Sequence, residues 1–292
     1  MPTLTPQVTM SSPKKNSLLC PNCRRLISRH EPKCPYCGLS HPGSPLKNNP
    51  LTVLLNKPEG LISLIVYVNV AIYILSLLLD FGHSGLTANP MRFLSPSNRS
   101  LLLLGSTGTI PVFEYGRWWS VISANFLHGS LLHIIFNMMA IRQIGPLVIN
   151  EYGPARMLTI YIMGGVMGFI ISCFPGNVHF TIGASAALCS LIGATLYYGK
   201  SRGGIYGQNI YSQVSGWAVS IFIFGFLVPG INNWGHGGGM AAGALLGFLL
   251  GYRERRKDNL THTLLAAFCI GASVLTMLWA IGTAFYLLLN YQ

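Results

Sequence analysis

The sequence predicts an all-α polytopic membrane protein. Three observations carry the prediction: a composition too apolar for a water-facing surface, seven apolar runs of helix length, and cations gathered on alternate connections between them. Of the 292 residues, 51% are hydrophobic and 9% charged, with a mean hydropathy of +0.48. A soluble domain carries about 25% charged residues. A chain this poor in charge is neither disordered nor an ordinary one-domain cytosolic enzyme.

The first fifty residues differ in kind from the rest. They hold nine of the 17 prolines and four of the seven cysteines, and no long apolar run. No apolar stretch precedes the basic pair Lys14 and Lys15, so no cleavable secretory signal is expected. We divide this part into a disordered tail (1–17), a metal-binding module (18–41) and a linker (42–60). Cys20-Pro21-Asn22-Cys23 and Cys34-Pro35-Tyr36-Cys37-Gly38 are two C-x2-C knuckles ten residues apart. Four thiolates at that spacing close a tetrahedral shell, and in about 25 residues a metal replaces the core that the chain is too short to build. The pattern is that of a zinc ribbon with a structural Zn2+ held by Cys20, Cys23, Cys34 and Cys37; an iron site or a degenerate remnant is the alternative. His30 and His41 lie nearby, but four cysteines fill the shell. Cys173, Cys189 and Cys269 fall in apolar runs, where a small buried hydrophobe is expected.

From Leu61 the apolar runs recur in order: Leu61 to Leu79, Leu131 to Ile149, Leu158 to Phe174, Thr181 to Tyr198, Val214 to Val228, Trp234 to Tyr252 and Leu264 to Leu289. Most approach the ~20 residues that a helix needs to cross about 30 Å of hydrocarbon, so seven spans are expected. The fifth is the weakest, cut short by Pro229 and Gly230. The stretch from Phe81 to Trp118 is too broken by Pro and Gly to span, and its Leu101 to Leu104 segment is expected to dip into the membrane interface.

Orientation follows from Lys and Arg. With the N-terminus inside, the inner segments hold 16 of the 19 cations and the outer ones only Arg92, Arg99 and Arg117. This positive-inside bias predicts a cytoplasmic N-terminal module and an outside C-terminus. Most of the formal +12 is therefore topological, and its scatter along the chain argues against nucleic acid as a partner. The short loops favour a prokaryotic plasma membrane.

Polar groups inside a span are expensive and mark function by default. Asp80 ends the first span and no other acid falls within one, which disfavours a carboxylate proton relay, an aspartyl protease or an ion-coupled transporter. What remains is His128, His133 and Asn137 around the start of the second span, Ser185 in the fourth and His236 in the sixth. These three spans all enter from the outer side, so the five residues share one leaflet. His133 and Asn137 are four apart and share a helix face. His236, Gly239, Gly243, Gly247 and Gly251 form a small-residue stripe opposite a lightly built fourth span from Gly183 to Ala194, a pattern that lets helices approach closely in lipid. Taken singly, each residue has an ordinary reading: a serine bonded back to its own helix, an asparagine joining helices, an interfacial histidine. Their co-location supplies a nucleophile, a base and oxyanion donors.

At this point the sequence resembles the rhomboid intramembrane serine proteases. The resemblance rests on Asn125-Phe126-Leu127-His128-Gly129-Ser130-Leu131-Leu132-His133-Ile134-Ile135-Phe136-Asn137, on Gly183-Ala184-Ser185, and on Asn232-Asn233-Trp234-Gly235-His236-Gly237-Gly238-Gly239, in the family's order. It implies a rhomboid-like six-helix core over 61–252, followed at 253–292 by a cytoplasmic loop and an additional C-terminal transmembrane helix. It also implies that Ser185 is the nucleophile and His236 its base, a dyad without Asp, with no cofactor for catalysis. By the same resemblance His133, Asn137 and the Ser185 backbone N–H serve the oxyanion, with His128, Gly183 and Gly239 supporting. Three positions depart from the pattern: Ala186 follows the serine where Gly is usual, Arg117-Trp118-Trp119-Ser120 replaces a Trp-Arg motif, and Cys189 stands where an aromatic packs under the histidine.

The function expected is a serine endopeptidase that cleaves single-span membrane proteins near the outer face of the lipid bilayer. The competing expectation is a catalytically silent scaffold that binds transmembrane clients, with the zinc ribbon recruiting a cytoplasmic protein partner.

Overall fold

The computed structural model describes residues 16–44, 58–79, 87–256 and 258–290. The expected tail up to Lys15, most of the linker, Asp80 and the start of the long connection lie outside these residues. The chain divides into two compact units, Met1–Gly60 and Leu61–Gln292.

In the first unit, strands β1 (Ser17–Leu19) and β2 (Leu26–Ser28) pair antiparallel, with Leu18 opposite Ile27 and Leu19 opposite Leu26. Ser17, assigned to the tail from sequence, therefore begins the hairpin. Strand alternation sends Leu18 and Ile27 inward, where Ile27, Cys20 and Cys34 are buried together with Cys23, Cys37 and Leu39 around them. Leu19 and Leu26 point out into solvent. A core in which four of seven members are cysteines has little hydrophobic driving force of its own.

The second unit is built on seven long helices: α1 (Pro58–Leu78), α2 (Leu131–Tyr152), α3 (Pro154–Cys173), α4 (Ser185–Arg202), α5 (Gly204–Leu227), α6 (Asn233–Leu250) and α7 (Leu260–Asn290). They correspond in order to the seven expected spans. Five of them, α1, α2, α3, α5 and α7, are long and apolar enough to cross a membrane by length and composition. The two outside that set, α4 and α6, have 18 residues each, about 27 Å of helix. Their mean hydropathy is lowered by glycines and by polar residues at one end, Lys200 and Arg202 in α4 and Asn233 and His236 in α6. α4 is surrounded by α3, α5 and α6 and buries nearly every residue from Ala186 to Thr195, so it needs no lipid-facing side chains. The fifth helix also begins ten residues before its expected start, at Gly204. Its opening turns carry Gln208, Asn209 and Gln213, whose polarity masked the helix in a hydropathy reading.

The centre of the unit is the trio α3, α4 and α6. A Cβ on Gly239 would collide with the Ala186 carbonyl, one on Gly243 with the Ser190 carbonyl, and one on Gly193 with the Met240 carbonyl. The stripe read from sequence thus brings α6 backbone against α4 backbone. The third member was not foreseen. Gly164 packs against Ser190, and a Cβ on Gly168 would press on the Gly235 carbonyl. α5, by contrast, leaves most of its surface uncovered and touches α6 only lightly.

The long connection before α2 folds into short pieces, Asn98–Leu103, a π-turn at Ile110–Glu114 and Ser120–Ser123. Leu101 and Leu104 lie in a buried cluster with Ile72, Phe126, Leu127, Met277 and Ala284. Helix α7 supplies part of the covering surface, which a hydropathy pattern cannot show.

In the first turn of α3, Arg156 is completely buried. Its guanidinium donates to the Gly251 carbonyl (2.8 Å), the Arg256 carbonyl (2.6 Å) and His262 Nδ1 (3.1 Å), and pairs with Asp258 at 3.0 Å. One side chain thereby joins the end of α6, the turn after it and the start of α7.

Candidate active site

The three segments that carry the resemblance meet at the end of the bundle opposite Arg156. Ser130 caps α2 and accepts the His133 N–H at 3.3 Å. The Gly129 N–H donates to His133 Nδ1 at 3.3 Å. That bond makes Nδ1 an acceptor, leaves the proton on Nε2, and aims Nε2–H toward Gly183. A Cβ on Gly183 would lie 2.7 Å from Nε2, and its φ of +126° is itself hostile to a side chain, so only glycine fits.

Gly183 is held in turn by its N–H to the Ala124 carbonyl, 2.9 Å. Ser185 follows two residues later as the first residue of α4. The first backbone N–H groups of a helix have no partner within it and form a site of positive potential. Ser185 Oγ therefore stands beside free backbone donors.

His236 lies in the first turn of α6. Asn232 caps that helix by accepting the Gly235 N–H at 2.8 Å and donates through its amide nitrogen to Thr181 Oγ1 at 3.1 Å. Thr181 pairs through its backbone with Thr107, whose hydroxyl receives that of Ser120 at 2.9 Å. The loop before Ser185 and the helix of His236 are thus fixed to one another. With Gly239 allowing the close approach one turn below, His236 Nε2 comes within 2.9 Å of Ser185 Oγ. His236 is 7% exposed.

Among the described residues, His236 Nδ1, Asn137 Nδ2 and both ring nitrogens of His128 are buried without a hydrogen-bond partner, as are five other side-chain atoms of the unit, Tyr161 Oη and Tyr198 Oη among them. The His128 ring stacks edge-on to His133, with centroids 5.1 Å apart. A buried polar atom without a partner costs about 1–3 kcal/mol, and such atoms gathered in one place call for a functional reason. The methyl of Ala186 is accommodated among Val112, Val121, Ala124, Phe169 and Cys173. Cys189 is fully buried, as are Cys173 and Cys269.

The sequence-predicted residues are therefore brought together as Ser185 with His236 and His133 with Gly183. Asn137 stands one turn along α2 from His133 with its amide unpaired. Sequence reading missed Asn232, Thr181 and Thr107 as the scaffold of the pair. Asn232, just before a Gly-rich helix, carried an N-cap signal that was quoted only as part of a motif.

In the small unit, the sulfurs of Cys20, Cys23, Cys34 and Cys37 all lie within 4.8 Å of one another. Two of the separations, Cys20 to Cys37 and Cys23 to Cys34, are 3.7 Å. A zinc–thiolate tetrahedron with bonds of about 2.3 Å has edges of about 3.8 Å, so the sulfur positions fit a four-coordinate metal. The two knuckles repeat one backbone design: Arg24 N–H to the Cys20 carbonyl and Gly38 N–H to the Cys34 carbonyl, both 2.9 Å. The Leu39 backbone N–H pulls the Cys37 thiol down to about 6 against desolvation. For Cys23 the Arg25 backbone N–H acts the same way, but desolvation and the thiols of Cys20, Cys37 and Cys34 outweigh it and push Cys23 up to about 11.

Fold and site together define a polytopic α-helical membrane protein with a serine–histidine pair set at the ends of two tightly packed helices. Residues 115–253 match the family model of the rhomboid domain. Relatives include RHOMBOID-like protein 6, mitochondrial, of Arabidopsis thaliana, 31% identical over 63% of this chain and 61% of its own length. RHOMBOID-like protein 4 of the same plant is 30% identical over 58% of this chain and 43% of its own. Rhomboid protease GluP of Bacillus subtilis is 32% identical over 53% of this chain and 31% of its own. The chain thus matches from about a third to about three fifths of these relatives' length. Since they come from a plant and a bacterium alike, the likeness does not select a prokaryotic membrane.

Proposed function

We propose that the chain is an intramembrane serine endopeptidase acting on transmembrane helices. The observation that carries the reading is the 2.9 Å contact between His236 Nε2 and Ser185 Oγ inside a membrane-embedded bundle. As base, His236 accepts the Ser185 proton at Nε2 while Oγ attacks the scissile carbonyl, and it later returns the proton to the leaving amine. The tetrahedral oxyanion is met by the Ser185 backbone N–H, by His133 Nε2–H and by the amide of Asn137. In a low-dielectric site each such donor is worth about 3 kcal/mol. His128 and Gly183 hold His133 in place, and Gly239 holds the two helices together. The lightly packed α5 supports substrate and water entry on its side of α6.

The cation bias supports an orientation with the N-terminal module in the cytoplasm and the dyad opening to the outer side. Substrates in this reading are single-span membrane proteins, cut near that face where small or polar residues weaken the helix. In the N-terminal unit, zinc on the four cysteines supplies a structural closure and takes no part in the reaction.

Reconstitution of the full chain in vesicles with single-span membrane proteins tests the reading. The expected result is a cut near the dyad-side end of the span, absent in Ser185→Ala. Relatives named only as rhomboid-like, together with Ala186 and Cys189, favour the scaffold as second reading. It predicts client capture without cleavage, unchanged by Ser185→Ala.

A further inference from the structure

A second feature at the dyad end of the bundle is not used by the chemistry above. A cavity of about 370 Å³ lies between α7 and the connection that precedes α2. One wall is Trp279, Thr283 and Leu287, at four-residue steps on a single face of α7. The other wall is Leu103, Tyr115, Arg117 and Trp119.

Among the described residues, Arg117 is the only charged one lining it. Its guanidinium stacks on Trp119, 4.6 Å from the ring centroid, and spends a single long hydrogen bond on the Leu103 carbonyl, 3.3 Å. A guanidinium has five donors. No ion pair among the described residues includes Arg117. Desolvation lowers its pKa from the ordinary guanidinium value, and among the described residues no carboxylate counters the effect. The result, among the described residues, is a half-buried cation with unspent donors and no acidic neighbour in a mostly apolar hollow.

Depth indicates what neutralises it. α7 starts beside Arg156 at the opposite end, and at 1.5 Å per residue its Trp279 to Leu287 face lies about 28–40 Å along the helix. That is headgroup level for the leaflet that contains the dyad. Trp279 and Tyr115, about 60% exposed, flank the cavity as interfacial aromatics do. Arginine pairs two donors with the oxygens of a phosphate, while Leu103 and Leu287 offer apolar surface to an acyl chain.

We propose that this cavity is a binding site for the phosphate-bearing headgroup of a membrane lipid, clamped between Arg117 and α7. The bound lipid would tie the C-terminal helix to the connection whose Thr107 and Ser120 brace the dyad loop. The site stands independently of the protease reading.

Native mass spectrometry of the full chain in detergent tests it, with dioleoylphosphatidylglycerol, dioleoylglycerol and inorganic phosphate as probes. The expected result is one phosphatidylglycerol retained per chain, with affinity about tenfold lower in Arg117→Gln, as loss of a charge-assisted hydrogen bond predicts, and partly regained in Arg117→Lys. Thr283→Trp, which fills the cavity and leaves the cation untouched, is expected to exclude the lipid as well. Equal retention of dioleoylglycerol, or unchanged retention in Arg117→Gln, overturns the proposal. Displacement by millimolar inorganic phosphate overturns the lipid assignment in favour of a soluble anion.

Discussion

Two sets of buried polar groups in the helical unit, one around Arg156 and one around the dyad, are treated in opposite ways. At the start of α3, Arg156 is wholly buried, and its guanidinium donates to two carbonyls and one imidazole and pairs with one carboxylate. Around the dyad, His236 Nδ1, Asn137 Nδ2 and both nitrogens of His128 are buried with no partner among the described residues. Both arrangements place costly groups out of water. The first recovers the cost in hydrogen bonds and joins three segments; the second leaves it standing around one serine. A satisfied network holds a fold together, whereas unpaired donors in a preformed site are held for a charge that appears only during a reaction.

Substitutions in each set should break the comparison in different currencies. The largest effect is expected for Ser185→Ala, which should reduce peptide cleavage by about 10,000-fold or more while moving unfolding free energy by no more than about 0.5 kcal/mol. Parallel cleavage and denaturation measurements check both halves. Next is Arg156→Ala, which leaves the Gly251 and Arg256 carbonyls and His262 unpaired. It should lower stability by about 3 kcal/mol, read by chemical unfolding, and expose the start of α7 to limited proteolysis.

Asn137→Ala should lower cleavage about 100-fold and leave stability level or slightly raised, because the amide it removes has no partner to lose. A stability loss as large as that of Arg156→Ala would place Asn137 with the structural network instead. The smallest effect is expected for Asn232→Ala. As an N-cap bonded to Thr181 it belongs to both accounts, so a loss of about 1 kcal/mol in stability should accompany a fall in cleavage of about tenfold, with KM little changed.

Much of this was legible in the sequence because membrane burial makes chemistry sparse. With only seven acids in the chain and almost none in the spans, the few remaining polar residues stood out, and motif spacing joined Ser185 to His236. The α6 glycine stripe predicted a close approach that the Gly239 and Gly243 positions realise. What escaped was whatever depends on a partner distant in sequence. Arg156 reads as an inner-loop cation, and only the fold shows that it reaches Gly251, Arg256 and His262. Nothing in the segment from Leu101 to Leu104 reveals that Met277 and Ala284 pack against it. α4 carries a weak apolar signal for the same reason, being coated by protein rather than lipid.

The most direct test of the central claim is to map the adduct of a serine-reactive fluorophosphonate on the detergent-solubilised full chain by peptide mass spectrometry. The account predicts a single adduct on Ser185, lost in His236→Ala although that variant keeps its helical content. An unlabelled Ser185 in the folded wild type, or labelling that persists undiminished in His236→Ala, would contradict it.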